Sequence, residues 1–283
     1  MRNGKERPIR SDNKADRKLM LLVPLLLLAA GFLPPALAKK KILCLHGGGG
    51  TGEGFAKFPA MRDLEGALPD FEFVYADGGY TAVEDGKEGG HLWIPDPPGG
   101  KKEPTTDPAI SDASIAVLDD LRASAGPFAG ILGYSQGAAY VSVYLSRVPE
   151  NTFDFALSFC GYPTETHLGI LNVVEEKSTF GDVASLVWIG ANDFVISPDL
   201  TRKTIDFYES PLVVESEQGG HIVPGSNDPT FEQVVSFIKS EGGDGDGTRA
   251  ASDDSNPPSS ADGTNSMAFR FVYLLCFVPV FLS

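Results

Sequence analysis

The stretch FAGILGYSQGAAYVSVYLSRV, residues 128–148, decides the fold class predicted for this chain of 283 residues. Its first part is a short apolar run, which is typical of a buried strand, and its last part has the pattern of a helix. Gly133 and Gly137 lie where the strand must turn sharply into the helix. Strands that pass directly into helices are typical of α/β proteins, so the stretch predicts an α/β domain.

Short runs of the same kind recur along the chain and alternate with helical patterns. Near-continuous apolar runs indicate strands buried on both faces, as in a mainly parallel sheet covered by helices. One predicted helix includes Ile110–Leu121, with Asp107 as its N-cap and Pro108 in its first turn, and another includes Phe55–Leu64. The fold class is therefore predicted to be doubly wound α/β. The predicted strands are Lys41–Leu45, Phe71–Tyr75, Phe128–Gly133, Phe155–Cys160, Val183–Ile189 and Leu212–Glu215.

One long segment, Asp77–Pro108, interrupts this alternation. It is rich in glycine, proline and charged residues, and it contains Trp93. Loops in α/β units usually have about 2 to 6 residues, so this segment is far longer than a simple connection. Because long excursions of this kind often cover active sites, we expect a lid-like insertion here.

The composition excludes several classes of protein. With 42% hydrophobic and 22% charged residues, the chain can bury a sizeable core and resembles neither a disordered nor a fibrous protein. The 38 acidic residues outnumber the 23 basic ones and give a net charge of −15, which argues against a nucleic-acid-binding surface. Three widely spaced cysteines, Cys44, Cys160 and Cys276, predict neither a disulfide framework nor a zinc site.

The N-terminal residues 1–38 have the order of a secretory signal peptide. Residues 1–18 carry seven basic side chains, an apolar run follows at 19–33, and Ala36 and Ala38 supply small residues before the expected cleavage point. We therefore expect cleavage after Ala38. An uncleaved signal anchor and an organellar pre-sequence are the alternatives.

The C-terminal part carries a second targeting pattern behind the predicted folded domain, residues 39–241. Residues 242–266 are almost free of apolar side chains, which predicts a disordered linker. In the hydrophobic tail, residues 267–283, the apolar run 271–282 would span only about 18 Å as a helix, against about 30 Å of hydrocarbon. Together with the small residues 259–261, this tail fits a GPI-attachment signal, with a short tail anchor as the alternative. We expect a protein of the secretory pathway, extracellular or membrane-anchored.

A glycine run, His46–Gly52, directly follows the first predicted strand and has two interpretations. Gly47, Gly49 and Gly52 satisfy the pattern G-x-G-x-x-G, and Asp77 closes the second strand 25 residues later, as in a dinucleotide-dependent oxidoreductase. The same residues also match the H-G-G-G oxyanion loop of lipases and esterases. In that loop a backbone N–H points at a developing negative charge.

The pattern G-x-S-x-G at 133–137 favours the second interpretation. Its serine, Ser135, lies between a predicted strand and a predicted helix, which is the arrangement of a nucleophile elbow. The alternative is a serine in an ordinary turn between a strand and a helix. As a nucleophile, Ser135 would need two N–H donors for the oxyanion, and we predict Gln136 and Gly48 for this role.

Such a serine needs a base that is itself oriented by an acid, and in this fold the chain order is serine, acid, histidine. Asp193 follows the fifth predicted strand and His221 follows the last one, so both should lie at the carboxyl edge of the sheet. Asp228 and Asp199 remain alternatives for the acid. His46 precedes the nucleophile and is expected to pack beneath the oxyanion loop.

Four segments together resemble the FSH group, the family of serine hydrolases within the α/β-hydrolase superfamily. They are LHGGGG at 45–50, GPFAGILGYSQGAA at 126–139, IGANDFVISP at 189–198 and GGHIVP at 219–224, and the similarity extends over Lys40–Ser240. The resemblance implies an α/β-hydrolase fold.

The resemblance further implies a triad of Ser135, Asp193 and His221 that hydrolyses carboxylic esters or thioesters. The expected partner is a small-molecule ester or thioester, and neither a metal nor an organic cofactor is expected. The chain departs from the family pattern because four glycines follow His46, where a bulkier residue usually comes after the His-Gly pair. The dinucleotide-dependent oxidoreductase and a non-catalytic acyl-ligand binding protein remain as alternatives.

Overall fold

The computed structural model describes residues 38–84, 87–100 and 103–243 of the chain. The predicted signal peptide and the predicted C-terminal linker and tail lie outside these ranges, apart from the residues next to the domain. Within the described ranges, no helix is both long and apolar enough to cross a membrane. The strands in these ranges are β1 Lys40–Leu45, β2 Phe71–Ala76, β3 Tyr80–Glu84, β4 Lys87–Leu92, β5 Gly130–Tyr134, β6 Phe155–Phe159, β7 Ala184–Gly190 and β8 Leu212–Ser216.

Six of the described strands form one sheet in the order β2-β1-β5-β6-β7-β8. Every neighbouring pair in this sheet is parallel, so all carboxyl ends lie at the same edge. The helices between the strands are α1 Gly52–Ala56, α2 Pro59–Ala67, α3 Asp112–Ala125, α4 Gln136–Leu145, α5 Leu168–Lys177, α6 Pro198–Arg202 and α7 Phe231–Gly242, and a 3₁₀ turn at Lys203–Phe207 follows α6.

Helices cover both faces of this sheet. Alternate residues of each strand point to opposite faces, so Leu43 belongs to one buried cluster and Ile42 to the other. The cluster around Leu43 contains side chains of α3, α4 and α5, whereas the cluster around Ile42 contains side chains of α1, α2 and α7. The predicted doubly wound α/β class and the six predicted strands are confirmed.

Two helix predictions are wrong in detail. Helix α3 begins at Asp112, and Asp107 caps only a preceding turn by accepting a hydrogen bond from Ala109 N at 2.9 Å. Just before the helix, the carbonyl of Ile110 accepts the hydroxyl of Tyr80, from the insertion, at 2.7 Å.

The predicted helix over Phe55–Leu64 is in fact two short helices. Pro59 begins α2, where the fixed backbone angle of proline and its missing N–H favour the first helical position. The bend between the helices leaves Phe58 41% exposed, while Phe55, Met61 and Leu64 are buried as predicted.

The insertion is more than a covering loop. Strands β3 and β4 form an antiparallel hairpin, and the residues that follow it enter the core. Trp93 is fully buried, stacks on Tyr140 with ring centroids 5.6 Å apart, and donates its indole N–H to the carbonyl of His46 at 2.8 Å. The residues that follow β4 are therefore part of the framework that supports the glycine run.

Candidate active site

Ser135 occupies the turn between β5 and α4 in a strained conformation, with φ 54° and ψ −118°. Non-glycine residues rarely adopt positive φ, and such strain persists only where the surroundings enforce it. A Cβ on Gly133 would lie 2.4 Å from the carbonyl oxygen of Gly137, and one on Gly137 would lie 2.4 Å from that of Leu45. The two glycines thus allow the close approach of strand and helix, as the sequence pattern predicted.

The structure brings Ser135, His221 and Asp193 together. The hydroxyl oxygen of Ser135 lies 2.9 Å from Nε2 of His221, and Nδ1 of His221 lies 2.7 Å from Oδ2 of Asp193. The carboxylate can only accept, so Nδ1 carries the proton and Nε2 is free to accept the hydroxyl proton of the serine. This is the geometry that a serine nucleophile needs to be activated by a base.

Asp193 is held firmly at the end of β7. Its Oδ1 accepts hydrogen bonds from the backbone N–H groups of Val195 and Ile196, each at 2.8 Å. Its side chain is only 2% exposed, and together with the bond to His221 these contacts compensate for the lost hydration of the carboxylate. The acid therefore has one fixed orientation toward the base.

The two alternative acids have other partners. Asp228 accepts hydrogen bonds from Ser216 Oγ at 2.8 Å and from Thr230. Asp199 is exposed and pairs with Arg202 at 2.8 Å. The structure therefore favours Asp193 as the partner of the histidine.

Some backbone N–H groups at the glycine run and the elbow are already hydrogen-bonded, and others have no acceptor. Gly49 donates to the carbonyl of His91 at 2.8 Å, so this N–H is already used. In the part of the chain that the structure describes, the N–H groups of Gly48 and Gln136 have no acceptor. They are the two donors predicted for the oxyanion, and they are free to bind one.

The carboxamide of Gln136 lies beside Gly48. Its Oε1 accepts the N–H of Trp93 and its Nε2 donates to the carbonyl of Ile94, both at 2.9 Å. A Cβ on Gly48 would lie 3.3 Å from this carboxamide. The chain has glycine where the family usually has a bulkier residue, and in this chain the carboxamide of Gln136 lies beside that position and is hydrogen-bonded to the insertion.

His46 packs beneath the glycine run as predicted. It is 1% exposed, donates from Nδ1 to the carbonyl of Gly47 at 2.7 Å, and accepts the N–H of Gly78 on Nε2 at 3.2 Å. Burial lowers the pKa of His46, which keeps the ring neutral. A neutral ring suits these two hydrogen bonds.

Asp77 has a role within the fold. Its Oδ1 accepts the N–H of Gly52 at 2.7 Å, at the start of α1. In a dinucleotide site this acid would bind the ribose and the helix start would bind the pyrophosphate. Here the two groups bind each other.

Two side chains near the histidine were not predicted from the sequence. Tyr134 donates its hydroxyl to the carbonyl of His221 at 2.8 Å. Cys160 follows β6 with φ 53°, and its sulfur lies 3.5 Å from the carbonyls of Gly220 and Ile222. Burial raises the pKa of the Cys160 thiol, and the nearby Asp193 raises it further. The position of Tyr134 inside the G-x-S-x-G pattern places it near the site, but nothing in the sequence indicates that it binds the carbonyl of His221.

The sequence profile described as Serine hydrolase (FSH1) matches residues 36–233. The chain belongs to this serine hydrolase family. A probable esterase of Aspergillus terreus is 34% identical over 225 residues, which cover 74% of this chain and 78% of the relative. Esterase C25G4.2 of Caenorhabditis elegans is 26% identical over 220 residues, which cover 72% of this chain and 94% of the relative.

Solved structures share the fold of this serine hydrolase. Acyl-protein thioesterase 2 of Zea mays has a TM-score of 0.53 at 17% identity, over 74% of this chain and 96% of the other. Esterase PE8 has a TM-score of 0.52 at 18% identity, over 72% of this chain and 93% of the other. The FSH resemblance, the α/β-hydrolase fold and the predicted class of enzyme are thus confirmed.

Proposed function

We propose that this serine hydrolase cleaves carboxylic esters or thioesters through an acyl-enzyme formed on Ser135. The observation that carries the proposal is the connected set of hydrogen bonds from Ser135 through His221 to Asp193, at 2.9 and 2.7 Å. A serine hydroxyl is a weak nucleophile by itself, and a base within hydrogen-bond distance activates it. The relatives named esterases support an ester as the substrate.

In the proposed reaction, the hydroxyl oxygen of Ser135 attacks the acyl carbonyl while Nε2 of His221 takes the hydroxyl proton. His221 then gives this proton to the leaving alcohol or thiol as its bond to the acyl carbon breaks. A water molecule attacks the acyl-enzyme with His221 as the base again, and the carboxylic acid and free Ser135 result. Asp193 stays ionised throughout, fixes the tautomer and stabilises the imidazolium.

The N–H groups of Gly48 and Gln136 would bind the oxyanion of the tetrahedral intermediate. Both lack an acceptor in the described ranges, and Gln136 directly follows the nucleophile. Preorganised donors of this kind cost no reorganisation during the reaction, and losing one typically lowers kcat by about 10² to 10³. The leaving group does not contact these donors, so the mechanism serves oxygen esters and thioesters alike.

Exposed apolar side chains beside the triad favour a substrate with an apolar acyl or alkyl part. Phe194, next to Asp193, is 89% exposed, and Ile222, next to His221, is 44% exposed. Val195 is also partly exposed, at 39%. A cavity of about 900 Å³ lies between the end of α4 and the residues before β7, and none of the site residues lines it. We propose that the apolar part of the ester covers the exposed side chains.

The cellular location is a separate proposal that rests on sequence patterns alone. We propose that residues 1–38 direct the chain into the secretory pathway and that residues 267–283 specify a GPI anchor. The mature protein is then expected to start after Ala38 and to be released from cells by a phosphatidylinositol-specific phospholipase. A mature chain that still starts at Met1 would contradict the first part, and protein that stays with the membrane would contradict the second.

Labelling of the full chain with a fluorophosphonate tests the proposed reaction. The wild type should be labelled, and Ser135→Ala and His221→Ala should each lose labelling and ester hydrolysis. Ser142→Ala is the matched control, because Ser142 lies on α4 and bonds only to its own helix, at Ala139 O. A folded Ser135→Ala protein that still hydrolyses esters would contradict the proposal.

A further inference from the structure

Tyr134 precedes the nucleophile directly and contacts the histidine of the triad. Its hydroxyl donates to the backbone carbonyl of His221 at 2.8 Å, and its ring lies against the imidazole with centroids 5.1 Å apart. We propose that Tyr134 is a positioning residue, which holds His221 at the distance from Ser135 that proton transfer requires. This proposal rests on the function proposed above and assigns to Tyr134 a role in the same reaction.

The chain connects Tyr134 directly to the nucleophile. Tyr134 and Ser135 are consecutive residues of the elbow, and both bind His221. Tyr134 fixes the backbone of the histidine, and Ser135 meets its ring, so the base is fixed at two points that belong to one rigid turn. The distance between nucleophile and base is therefore set by one turn of the chain, the elbow.

The loop that carries His221 is anchored mainly beside the histidine, by contacts of its neighbours. His221 lies in an irregular segment between β8 and α7. Before the histidine, Asn192 donates from its backbone N–H to Gly219 O at 2.8 Å and from Nδ2 to Glu217 O at 2.7 Å. Around the histidine itself, besides the contacts of the triad, Ile222 N donates to Gly220 O at 3.0 Å, and the Cys160 sulfur lies 3.5 Å from the carbonyls of Gly220 and Ile222. A thiol is a weak donor. Among the described residues, the hydroxyl of Tyr134 is the side-chain donor that reaches the carbonyl of His221 itself.

Tyr134 itself is firmly placed. Its ring stacks on Phe55, with centroids 6.1 Å apart and planes 18° apart, and meets the edge of Phe58 at 6.0 Å. A Cβ on Gly47 would lie 3.2 Å from the tyrosine ring, so the first glycine of the run gives the ring its space. Burial raises the pKa of the Tyr134 hydroxyl, so it remains a donor in alkaline solution.

The test compares full-length wild type with Tyr134→Phe, which removes only the hydroxyl, and with Tyr134→Leu, which also removes the ring. Saturating fluorophosphonate counts the reactive sites in each sample, and kcat is then expressed per site. Small misplacements of a catalytic group cost up to about 10² in rate. We expect kcat per site to fall about tenfold in Tyr134→Phe and further in Tyr134→Leu, with KM unchanged.

Tyr140→Phe is the matched control. It removes another tyrosine hydroxyl that donates to a backbone carbonyl, that of Ser111 at 2.9 Å, in the buried core away from His221. A purely structural residue would lower the melting temperature or the fraction of reactive sites and would leave kcat per site intact, as we expect for Tyr140→Phe. Wild-type kcat per site in Tyr134→Phe would overturn the positioning role.

Ser135→Ala in the same series separates the two proposals. If Ser135→Ala retains turnover, the proposed function fails. If Ser135→Ala is inactive and Tyr134→Phe is as fast as the wild type, only the role of Tyr134 fails. Should Tyr134→Leu not fold, Tyr134→Phe alone decides, since it keeps the ring and its packing.

Discussion

The nucleophile elbow and the glycine run lie side by side at the carboxyl edge of the sheet, yet they are built in different ways. The elbow is a local structure, because Gly133, Ser135 and Gly137 lie within five consecutive residues and fix one another. The glycine run is held by distant partners, among them the backbone of His91. The comparison teaches that the nucleophile is positioned by the close packing of β5 and its helix against the end of β1, whereas the oxyanion donor Gly48 lies in a run that depends on the insertion.

The largest effect is expected from breaking the elbow with Gly137→Ala. The new Cβ would lie 2.4 Å from the carbonyl oxygen of Leu45, at the end of β1, and 2.5 Å from that of His46, the first residue of the glycine run. Overpacking of this kind costs about 3 kcal/mol. We expect a melting temperature lower by about 10 °C and loss of most activity.

Gly66→Ala is the control for this change. No atom lies within 4 Å of a Cβ on Gly66, which is inside α2, so alanine should raise the stability by about 0.5 to 1 kcal/mol. Thermal unfolding of both variants checks the prediction. Equal stability of Gly137→Ala and the wild type would show that the elbow tolerates a side chain that the geometry excludes.

The next largest effect is expected from Gly90→Ala in the insertion. Its Cβ would lie 2.2 Å from the carbonyl oxygen of Gly49 and 2.3 Å from that of Gly50, so the glycine run must move. The fold should survive, because the elbow and the sheet are not touched, but kcat should fall by about 10², the cost of one oxyanion donor.

Gly89→Ala is the neighbour that serves as its control. The nearest atom to a Cβ on Gly89 is 3.5 Å away, an ordinary contact, so we expect wild-type kcat. Kinetics and thermal unfolding are measured together on both variants. If Gly90→Ala lowers the melting temperature strongly as well as kcat, the glycine run is part of the core. The contrast with the elbow is then weaker than the structure indicates.

A prediction from the sequence succeeds here where a local pattern or a rule of the sheet topology applies. The six strands, the elbow and the order of Ser135, Asp193 and His221 follow from local patterns and from the rule that strand ends meet at one edge. The hydroxyl of Tyr134 binds a residue 87 positions away, and the carboxamide of Gln136 binds one 43 positions away.

The remaining differences have the same cause. The hairpin of β3 and β4 was expected only as a covering segment, because nothing in a glycine-rich and charged stretch shows that its return enters the core. Helix α3 begins later than predicted, and the carbonyl of Ile110 before it accepts the hydroxyl of Tyr80 from this hairpin. Hydrophobic periodicity and capping rules describe contacts within one element, and these contacts join two elements.

A smaller effect is expected from Gln136→Ala, which removes the hydrogen bonds between the elbow and the insertion. The backbone N–H of this residue stays, but the N–H of Trp93 and the carbonyl of Ile94 lose their partner. An unsatisfied buried group costs about 1 to 3 kcal/mol. We expect kcat to fall about tenfold as the donors lose their fixed spacing.

Gln233→Ala, at an exposed position of α7, is the control and should match the wild type in kcat. Steady-state kinetics on both variants, with the fraction of reactive sites counted, decides the matter. Unchanged kcat in Gln136→Ala would mean that the insertion and the elbow keep their spacing without this side chain.

The smallest effect is expected from Phe194→Ser, which changes the exposed apolar surface where the substrate is proposed to bind. Phe194 is 89% exposed beside Asp193, so the serine variant should fold normally and keep its kcat on a short acyl ester. Burying one methylene contributes about 0.8 kcal/mol, or about fourfold in kcat/KM, so the wild type should prefer longer acyl chains.

In Phe194→Ser this dependence on chain length should flatten. Leu212→Ser is the control, because Leu212 lies at the start of β8 on the opposite edge of the sheet, and it should leave the dependence intact. A chain-length series of esters measures the slope, and the same slope in all three proteins would place the apolar part of the substrate elsewhere.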